Sequence, residues 1–412
     1  MPFPRLSRLA VVFAALTPAC LGAADPAAEP DGLAAEPTAL TLGVPRPLPP
    51  QLLRAWPVHV YTSGRAFYAV MSNGTVRVWG TGSNLGDGSA SATLTAPTAV
   101  VDLDGVVSLA PAADHVCALR SDGSARCWGA SWSGQVGNGT FLYANAPRPV
   151  AVATSLRFAS LTSVAQATCG VATGAEARVY CWGTWSGQPN GAAAASPVAT
   201  PLTGGLGVLG AGRFVARTAD PTGAATPLLW AWGPEDFINA TQLPQRGVLA
   251  APAQMQHWTL GTARFVLADL QAGAGHACAL DPGGMVACVG RNAAGQLGNW
   301  STVDRATPTG TSPPFTQAAS LSVGLNHTCV VRRDGVPFCW GSNVDGQLGD
   351  PRIVSFVAAP NAVPGLTDVR EMAAGADRTC ALRGDSTVWC WGGVRNGSPG
   401  LPTSYSPTRV TF

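Results

Sequence analysis

Lysine is absent from this 412-residue chain, and all 25 basic residues are arginine. The protein therefore has no lysine to form a Schiff base or to bind phosphate in a P-loop. Glutamate is also scarce, which leaves few candidates for the carboxylate pair of a glycosidase, although aspartates could supply one. The Gly-x-Ser-x-Gly, His-Glu-x-x-His and calcium-loop motifs are missing. We expect a protein that is not an enzyme, with no catalytic residues, no metal and no cofactor.

Charge and long apolar runs are scarce as well. Charged residues make up 12% of the chain and the net charge is +2. This balance gives no electrostatic reason to bind nucleic acid or an anionic membrane. Beyond the N-terminus, no stretch approaches the roughly 18 apolar residues of a membrane-spanning helix. Any membrane attachment is therefore expected to be through a lipid anchor.

The N-terminus has the outline of an export signal. Residues 1–8 carry two arginines, residues 9–16 are apolar, and small residues follow. Residues 1–24 are predicted to be a signal peptide or a lipoprotein signal. Cys20 ends the apolar run and is the candidate lipidation site; the alternative is that it is discarded with a cleaved signal. Residues 25–50 are rich in alanine, proline and acidic residues, and we expect a linker there.

A segment ending in Trp-Gly recurs about every fifty residues from residue 51 to residue 412. Seven units can be counted, because Val289-Gly290 takes the place of Trp-Gly in the fifth. A fixed period of this length is typical of repeat architectures, and short β segments with many turns are typical of propellers. We predict an all-β fold, a seven-bladed β-propeller over residues 51–412, and a monomer. The six Trp-Gly pairs are Trp79-Gly80, Trp128-Gly129, Trp182-Gly183, Trp232-Gly233, Trp340-Gly341 and Trp391-Gly392.

Ten of the eleven cysteines form pairs around the turns of predicted hairpins. A three-residue loop at Arg333-Asp334-Gly335 places Cys329 opposite Cys339 at a non-hydrogen-bonded site, within disulfide range. The first and fourth units lack cysteine at both positions, as a covalent pair requires. Two pairs could instead bind zinc, but zinc ligands are usually spaced more closely. The predicted disulfides are Cys117–Cys127, Cys169–Cys181, Cys278–Cys288, Cys329–Cys339 and Cys380–Cys390.

Five disulfides imply an oxidising compartment. Together with the export signal they predict a secreted or cell-envelope protein, with an outer-membrane lipoprotein as one form of the latter. The lysine-free composition, rich in alanine and arginine, indicates a bacterial origin. Within the propeller, a Pro-x-x-Val segment after each Trp-Gly is expected to add a strand. Because the last such segment has no hairpin after it, we expect residues 407–412 to complete the first blade, with residues 44–47 as the competing strand.

The order Gly-x-x-His-x-Cys-x-Leu, Asp-Gly, Cys-Trp-Gly and Gly-Gln-Leu-Gly resembles the repeat of the RCC1 (regulator of chromosome condensation) family. The resemblance covers nearly the whole chain after the linker and implies a seven-bladed propeller, here of a secreted bacterial type. Family members include a nuclear exchange factor for the GTPase Ran, domains of signalling proteins and a secreted bacterial inhibitor of β-lactamases. The resemblance therefore implies protein binding by propeller loops rather than one activity. The last motif occurs at Gly134-Gln135-Val136-Gly137, Gly295-Gln296-Leu297-Gly298 and Gly346-Gln347-Leu348-Gly349.

Three tryptophans, Trp132, Trp185 and Trp300, lie in loops that follow the Trp-Gly position. Aromatic side chains displayed on the loops of a rigid scaffold are typical of binding surfaces, so these are the predicted contact residues; the alternative is that they pack against their own blades. We expect a scaffold that binds an unidentified protein or a glycan. The competing functions are an architectural envelope protein without a discrete ligand, an exchange-type regulator, and a hydrolase with residues scattered among blades.

His115, His276 and His327 share one repeat position, two residues before a cysteine. Equivalent residues of a propeller lie on different blades, so these histidines are poorly placed to bind one metal together. A structural role repeated from blade to blade is the favoured interpretation.

Overall fold

The computed structural model describes thirty strands and no helix within the residues it defines. All of these residues belong to one compact unit, Arg54–Phe412. Accordingly, no described segment is a helix of the length and apolarity needed to cross a membrane. The predicted signal, Cys20 and the linker lie outside the described residues, so their boundaries stay predictions. The described ranges are 55–89, 91–141, 144–184, 193–210, 214–219, 228–233, 249–254, 259–260, 263–273, 275–395 and 403–412.

Seven of the sheets have four antiparallel strands that follow one another in chain order. The first three are β1 (Pro57–Ser63), β2 (Ala66–Met71), β3 (Val76–Thr81) and β4 (Thr93–Ala99); β5 (Val106–Pro111), β6 (His115–Arg120), β7 (Ala125–Gly129) and β8 (Ala146–Ala151); and β9 (Phe158–Val164), β10 (Ala167–Ala172), β11 (Val179–Gly183) and β12 (Ala194–Ala199). The fourth is β13 (Gly205–Gly210), β14 (Phe214–Thr218), β15 (Leu228–Gly233) and β16 (Leu249–Gln254), and a two-stranded pair, β17 (Thr259–Leu260) and β18 (Ala263–Arg264), follows it. The last three are β19 (Asp269–Ala272), β20 (His276–Leu280), β21 (Val286–Gly290) and β22 (Arg305–Gly310); β23 (Ala318–Val323), β24 (His327–Arg332), β25 (Pro337–Ser342) and β26 (Phe356–Ala362); and β27 (Val369–Ala374), β28 (Arg378–Arg383), β29 (Val388–Gly392) and β30 (Ser404–Val410).

The hairpin between the second and third strands forms as its sequence predicts. In the sixth sheet the N–H of Arg332 donates to the carbonyl of Val336, and Gly335 has φ +81°, the left-handed conformation that glycine adopts most readily. Residues equidistant from Asp334 therefore face each other, and Cys329 is opposite Cys339. The same symmetry holds in the other cysteine-bearing sheets.

The predicted Pro-x-x-Val strand is the fourth and outermost strand of each sheet. It pairs with the Trp-Gly strand across a bulge, and a proline lies within the bulge in every case. Proline has no N–H to donate, and bulges twist an edge away, so these edges are poor templates for another strand. The prolines are Pro97, Pro149, Pro197, Pro252, Pro308, Pro360 and Pro407.

The sheets are arranged as a ring. The first strands of successive sheets contact one another from β1 to β27, and β27 contacts β1, so the first strands surround the axis. Apolar clusters fill the spaces between neighbouring sheets, with Trp79, Trp128, Trp182, Trp340 and Trp391 fully buried in them. The prediction of an all-β propeller with disulfides inside the blades is confirmed. Six sheets are blades with described side chains; for β13–β16 the description is mainly of strand pairing.

The predicted closure of the ring was wrong. The first sheet has its own inner strand, β1, and the C-terminal strand β30 pairs with β29 as the outer strand of the last sheet. Closure instead uses apolar packing and a backbone bond: Val60 and Phe67 pack with Leu382 and Val388 across the junction, and the N–H of Ala376 donates to the carbonyl of Gly64 at 2.7 Å. The ring of Phe412 meets Trp79 edge-on at 5.5 Å. Residues 44–47 lie outside the described part of the chain.

Candidate functional site

All five predicted disulfides are present. Each joins directly opposed residues of the second and third strands of one sheet, with Cα atoms 4.0 to 4.1 Å apart. Every bonded cysteine is buried, packed in the apolar clusters that join neighbouring sheets. The disulfides therefore brace the blades and are not available to a ligand.

The repeated histidines link neighbouring blades. Nε2 of His327 lies 2.9 Å from Oγ1 of Thr379 in the next sheet, and the same contact joins His276 to Thr328. The hydroxyl of Thr379 donates its own hydrogen to the carbonyl of Gln347 at 2.8 Å. A hydroxyl has one hydrogen to give, so Nε2 of His327 carries the proton and donates to the threonine.

The histidine at this position occurs together with a threonine one blade further on. His115 follows the rule, since its Nε2 lies 2.8 Å from Oγ1 of Thr168. Where the next blade has no threonine, this position is not histidine. The pairs around the ring give the residue at the histidine position of one blade and then the residue at the threonine position of the next blade. They are Ala66–Val116, His115–Thr168, Ala167–Phe214, Arg213–Ala277, His276–Thr328, His327–Thr379 and Arg378–Phe67, with Arg213 read from the sequence alone. The histidines are thus components of a contact between blades, as a structural role requires.

Burial keeps two of these histidines neutral. It lowers the pKa of His327 to about 3, and burial together with the nearby His327 lowers the pKa of His276 to about 3. Nδ1 of each ring is buried without a hydrogen-bond partner among the described residues. A second ring proton would therefore have no acceptor, which makes these residues unsuited to proton transfer near neutral pH.

The Gly-Gln-Leu-Gly loop also connects blades. The carbonyl of Gln296 accepts hydrogen bonds from Nε1 of Trp340, at 2.9 Å, and from Oγ1 of Thr328, both in the next sheet. The side-chain oxygen of Gln296 accepts from the N–H of Ala294 and closes its own loop. A Cβ at Gly298 would lie 2.7 Å from Nε1 of Trp340, so only glycine lets the loop approach the ring. This motif is thus assigned to the scaffold.

Two ion pairs cross the ring closure, and the sequence did not indicate them. Nδ1 of His59 lies 3.2 Å from Oε2 of Glu371, and Nε of Arg65 lies 3.3 Å from Oδ2 of Asp377. The hydrogen bond to Glu371 raises the pKa of His59. Both pairs join the first sheet to the last, so they supplement the apolar closure. Only knowledge of which blades are neighbours could have revealed them.

One end of the propeller carries most of its long loops. Because the strands are antiparallel, the connectors between first and second strands and between third and fourth strands leave each sheet at the same end, which we call the loop face. The loop face exposes large apolar side chains on the second, fifth and sixth sheets. They are Trp132, Phe141, Trp300, Val303, Leu325, Val354 and Phe356.

The opposite end differs in character. Its hairpin turns carry ion pairs such as Arg383–Asp385, 3.0 Å apart, and Arg332–Asp334. Its exposed apolar side chains include Trp56, which is 53% exposed beside the hairpin turn of the first sheet, and Val58, Val107 and Leu206, which lie in bulges at the starts of inner strands. These residues are spread over the first, second and fourth sheets, whereas five of the seven exposed apolar side chains of the loop face belong to the neighbouring fifth and sixth sheets. The loop face is therefore the candidate interaction site.

The predicted contact residues do not form one patch. Trp132 is 48% exposed in the second sheet and Trp300 is 69% exposed in the fifth. Both are displayed to solvent rather than packed against their blades. Trp185 lies outside the described residues. Sequence reasoning missed Phe141, Val303, Val354 and Phe356, because nothing in their local pattern separates an exposed apolar side chain from a buried one.

Within the described part of the chain, no three His, Cys, Asp or Glu side chains come together as metal ligands would. The buried side chain of Asn343 near the loop face is used in loop closure: it donates to the carbonyls of Asp350 and Ile353 and accepts from the N–H of Leu348. The described site can contact a partner through apolar and polar surfaces.

Comparison with known families identifies the repeats. Two families described as the Regulator of chromosome condensation (RCC1) repeat match this chain, one at residues 318–347 and 369–398 and the other at residues 334–382. RCC1 repeats are therefore detected in the sixth and seventh sheets.

Individual relatives share parts of the chain. The probable E3 ubiquitin-protein ligase HERC6 of Homo sapiens is 30% identical over 164 residues, which cover 37% of this chain and 16% of the relative. Protein pim1 of Schizosaccharomyces pombe is 26% identical over 227 residues, 46% of this chain and 42% of pim1. The matches thus span less than half of either relative. The crystal structure of yeast RCC1 (Prp20) bound to Kap60 superposes with a TM-score of 0.64 at 17% identity and covers 87% of this chain and 85% of that one, which shows a shared fold.

Proposed function

We propose that this RCC1-repeat propeller is a binding scaffold outside the cytoplasm that contacts a protein partner through its loop face. The observation that carries the proposal is the outward display of Trp132 and Trp300 on connectors of a ring whose blades are braced by disulfides and by links between blades. Large aromatic side chains on a rigid support are the residues that contribute most to protein interfaces. The yeast propeller of the same fold was crystallised with a protein partner, which agrees with this use of the fold.

The proposed location rests on the five disulfides and on the N-terminal sequence. Disulfides of this number persist in the periplasm or outside the cell, and they are rare in a reducing cytosol. Mass spectrometry of the protein from its own cells, unreduced, tests the location. Five bonded pairs with either a lipid on Cys20 or a chain that begins after it support the proposal, and free thiols with an intact N-terminus contradict it.

A photo-crosslinking amino acid at position 132 tests the binding face in native cells. The matched control carries the same group at position 107, which is 45% exposed at the opposite end. A second variant carries the group at position 300. We expect a crosslinked protein band from at least one of positions 132 and 300 and none from position 107. A band from position 107 as strong as those from the loop face, or no band from either position 132 or position 300, would contradict the loop face as the contact surface.

A further inference from the structure

Trp300 occupies a position that is glycine in two other blades. Its backbone N–H donates to the carbonyl of Ala358 in the next sheet at 2.8 Å. Gly88 and Gly139 make the same bond at the same place in the first and second sheets. All three have left-handed backbones, with φ +81°, +86° and, for Trp300, +59°. A side chain with a Cβ is disfavoured in this conformation, so glycine is the residue that the scaffold itself would select here.

The loop holds the backbone of Trp300 firmly. The buried amide of Asn292 donates to Oδ1 of Asn299 at 3.0 Å and to the carbonyl of Ser301 at 2.8 Å. The residues on both sides of the tryptophan are therefore fixed, while Trp300 as a whole is 69% exposed. The side chain contributes little to packing yet occupies a strained position. Strain of this kind is found where a side chain has a role beyond folding.

Other exposed apolar side chains lie in the loop of Trp300 and on the chain segment to which its backbone is bonded. Phe356 is two residues before Ala358 on β26 and is 45% exposed. Val354 precedes it and is 81% exposed, and Val303 in the loop of Trp300 is 63% exposed. We call these four residues, Trp300, Val303, Val354 and Phe356, the rim patch. The prolines in the adjoining outer strands oppose strand addition, so a partner would dock through side chains.

Two charged residues close in sequence to the rim patch form no ion pair among the described residues, whereas Arg352 and Asp350 are paired, with 2.8 Å between Nη2 and Oδ2. Asp304 is exposed but is held to its own loop, because its Oδ1 accepts the N–H of Asn292 at 2.8 Å. Arg305 is exposed and makes no such bond within the described part of the chain. Arg305 is therefore the charged side chain at the patch that can turn towards a partner.

We infer that the rim patch is a docking site for a protein segment that presents an aromatic or large aliphatic side chain next to a carboxylate. Trp300 is the central apolar contact, and Arg305 pairs with the carboxylate. This inference rests on the proposed function and assigns it to one junction, between the fifth and sixth sheets.

The test uses a phage-displayed library of random twelve-residue peptides, selected on the full disulfide-bonded protein and then synthesised for affinity measurements. We expect enriched peptides with an aromatic or aliphatic residue within two positions of Asp or Glu. W300G keeps a residue suited to the left-handed backbone and should bind them at least tenfold more weakly. R305Q should weaken binding several-fold, and replacing the peptide carboxylate by its amide should abolish the difference between wild type and R305Q.

Four outcomes would overturn the inference. Binding that W300G leaves unchanged but Trp132→Ala abolishes would move the contact elsewhere on the loop face and leave the proposed function intact. A selection that enriches no peptide, together with no crosslink from either position 132 or position 300, would remove both proposals. Sedimentation showing a dimer of the wild type that W300G dissociates would make a second copy the occupant. If W300G fails to fold, Val354→Ser at the exposed edge takes its place, and unchanged peptide binding by that variant would also count against the rim patch.

Discussion

The contact between His327 and Thr379 should behave as a coupled pair in stability measurements. Thr379→Val keeps the shape of the side chain but removes the hydroxyl that accepts from Nε2 of His327. The ring nitrogen would then be buried without a partner, at a cost of about 1–3 kcal/mol. The carbonyl of Gln347 would still accept from Nε1 of Trp391, so no second group is left without a partner.

His327→Ala produces a different loss. It removes a fully buried ring and leaves a cavity, with a cost of about 2–4 kcal/mol by analogy with other large-to-small core changes. Thr379 keeps its hydrogen bond to the carbonyl of Gln347. The double variant has no orphaned nitrogen, so it should be about as stable as His327→Ala alone. The two substitutions should therefore couple by the cost of Thr379→Val alone, about 1–3 kcal/mol.

Urea unfolding of the oxidised protein, followed by circular dichroism, measures the four free energies of the cycle. Thr379→Ser is the matched control, since it keeps the hydroxyl and should preserve the contact. The junction between Ala66 and Val116 shows that an apolar version of this contact is compatible with the fold. Additive effects within about 0.5 kcal/mol would refute the assignment of the repeated histidine to a link between blades.

Three further predictions concern pH, the left-handed position and the disulfides. Because the folded pKa of both His276 and His327 lies near 3, below the ordinary 6.5, their stabilising effect is complete above about pH 6.5. This stabilisation is lost as the pH falls toward 3, by about 1.4 kcal/mol per pH unit for each histidine. The double variant His327→Ala with Thr379→Val should remove one of the two contributions, which urea midpoints measured between pH 7 and pH 4.5 would show. If the pH dependence of the midpoint were the same as in wild type, burial of a neutral ring would be contradicted. W300G should unfold at the same temperature as wild type or higher, because relief of about 1–2 kcal/mol of backbone strain offsets the larger conformational entropy of glycine in the unfolded chain. Gly139→Ala, at the same place in the second sheet, should lose about 1–2 kcal/mol of stability. A lower melting temperature for W300G would show that the ring packs against the scaffold. Protein refolded with a strong reductant should show no cooperative thermal transition, because each short disulfide loop contributes about 3 kcal/mol, and equal melting temperatures with and without reductant would disprove this.

The features within one repeat were predictable because each depends on local geometry. A turn at Asp334-Gly335 determines which residues face each other, and that register determines the disulfide partners. The proline strand was predictable for the same reason. All of these contacts lie within one sheet, where sequence spacing maps directly onto distance.

The features between repeats were harder to predict. A periodic sequence does not show where one blade ends and the next begins. The C-terminal strand could therefore be assigned either to the first blade or to the last. The pairing of β1 with β2 decides the matter, and β1 carries no motif. The partner of His115 is 53 residues away, in a neighbouring blade, and the pairing shows in the sequence only when the seven units are aligned with an offset of one.

The contacts between blades account for the repeated polar and aromatic residues, which are therefore part of the scaffold. Histidine, threonine, glutamine and tryptophan of the repeat are all used in links between neighbouring blades, so they are unavailable to recognise a partner. Function should therefore lie where a blade departs from the repeat. Arg378 replaces the histidine in the last sheet, but it is buried beside Asp377 at the ring closure, which gives it a structural reason. Trp300 replaces glycine without any such gain in packing. A strained and exposed tryptophan that benefits no neighbour is the departure that selection for binding explains best.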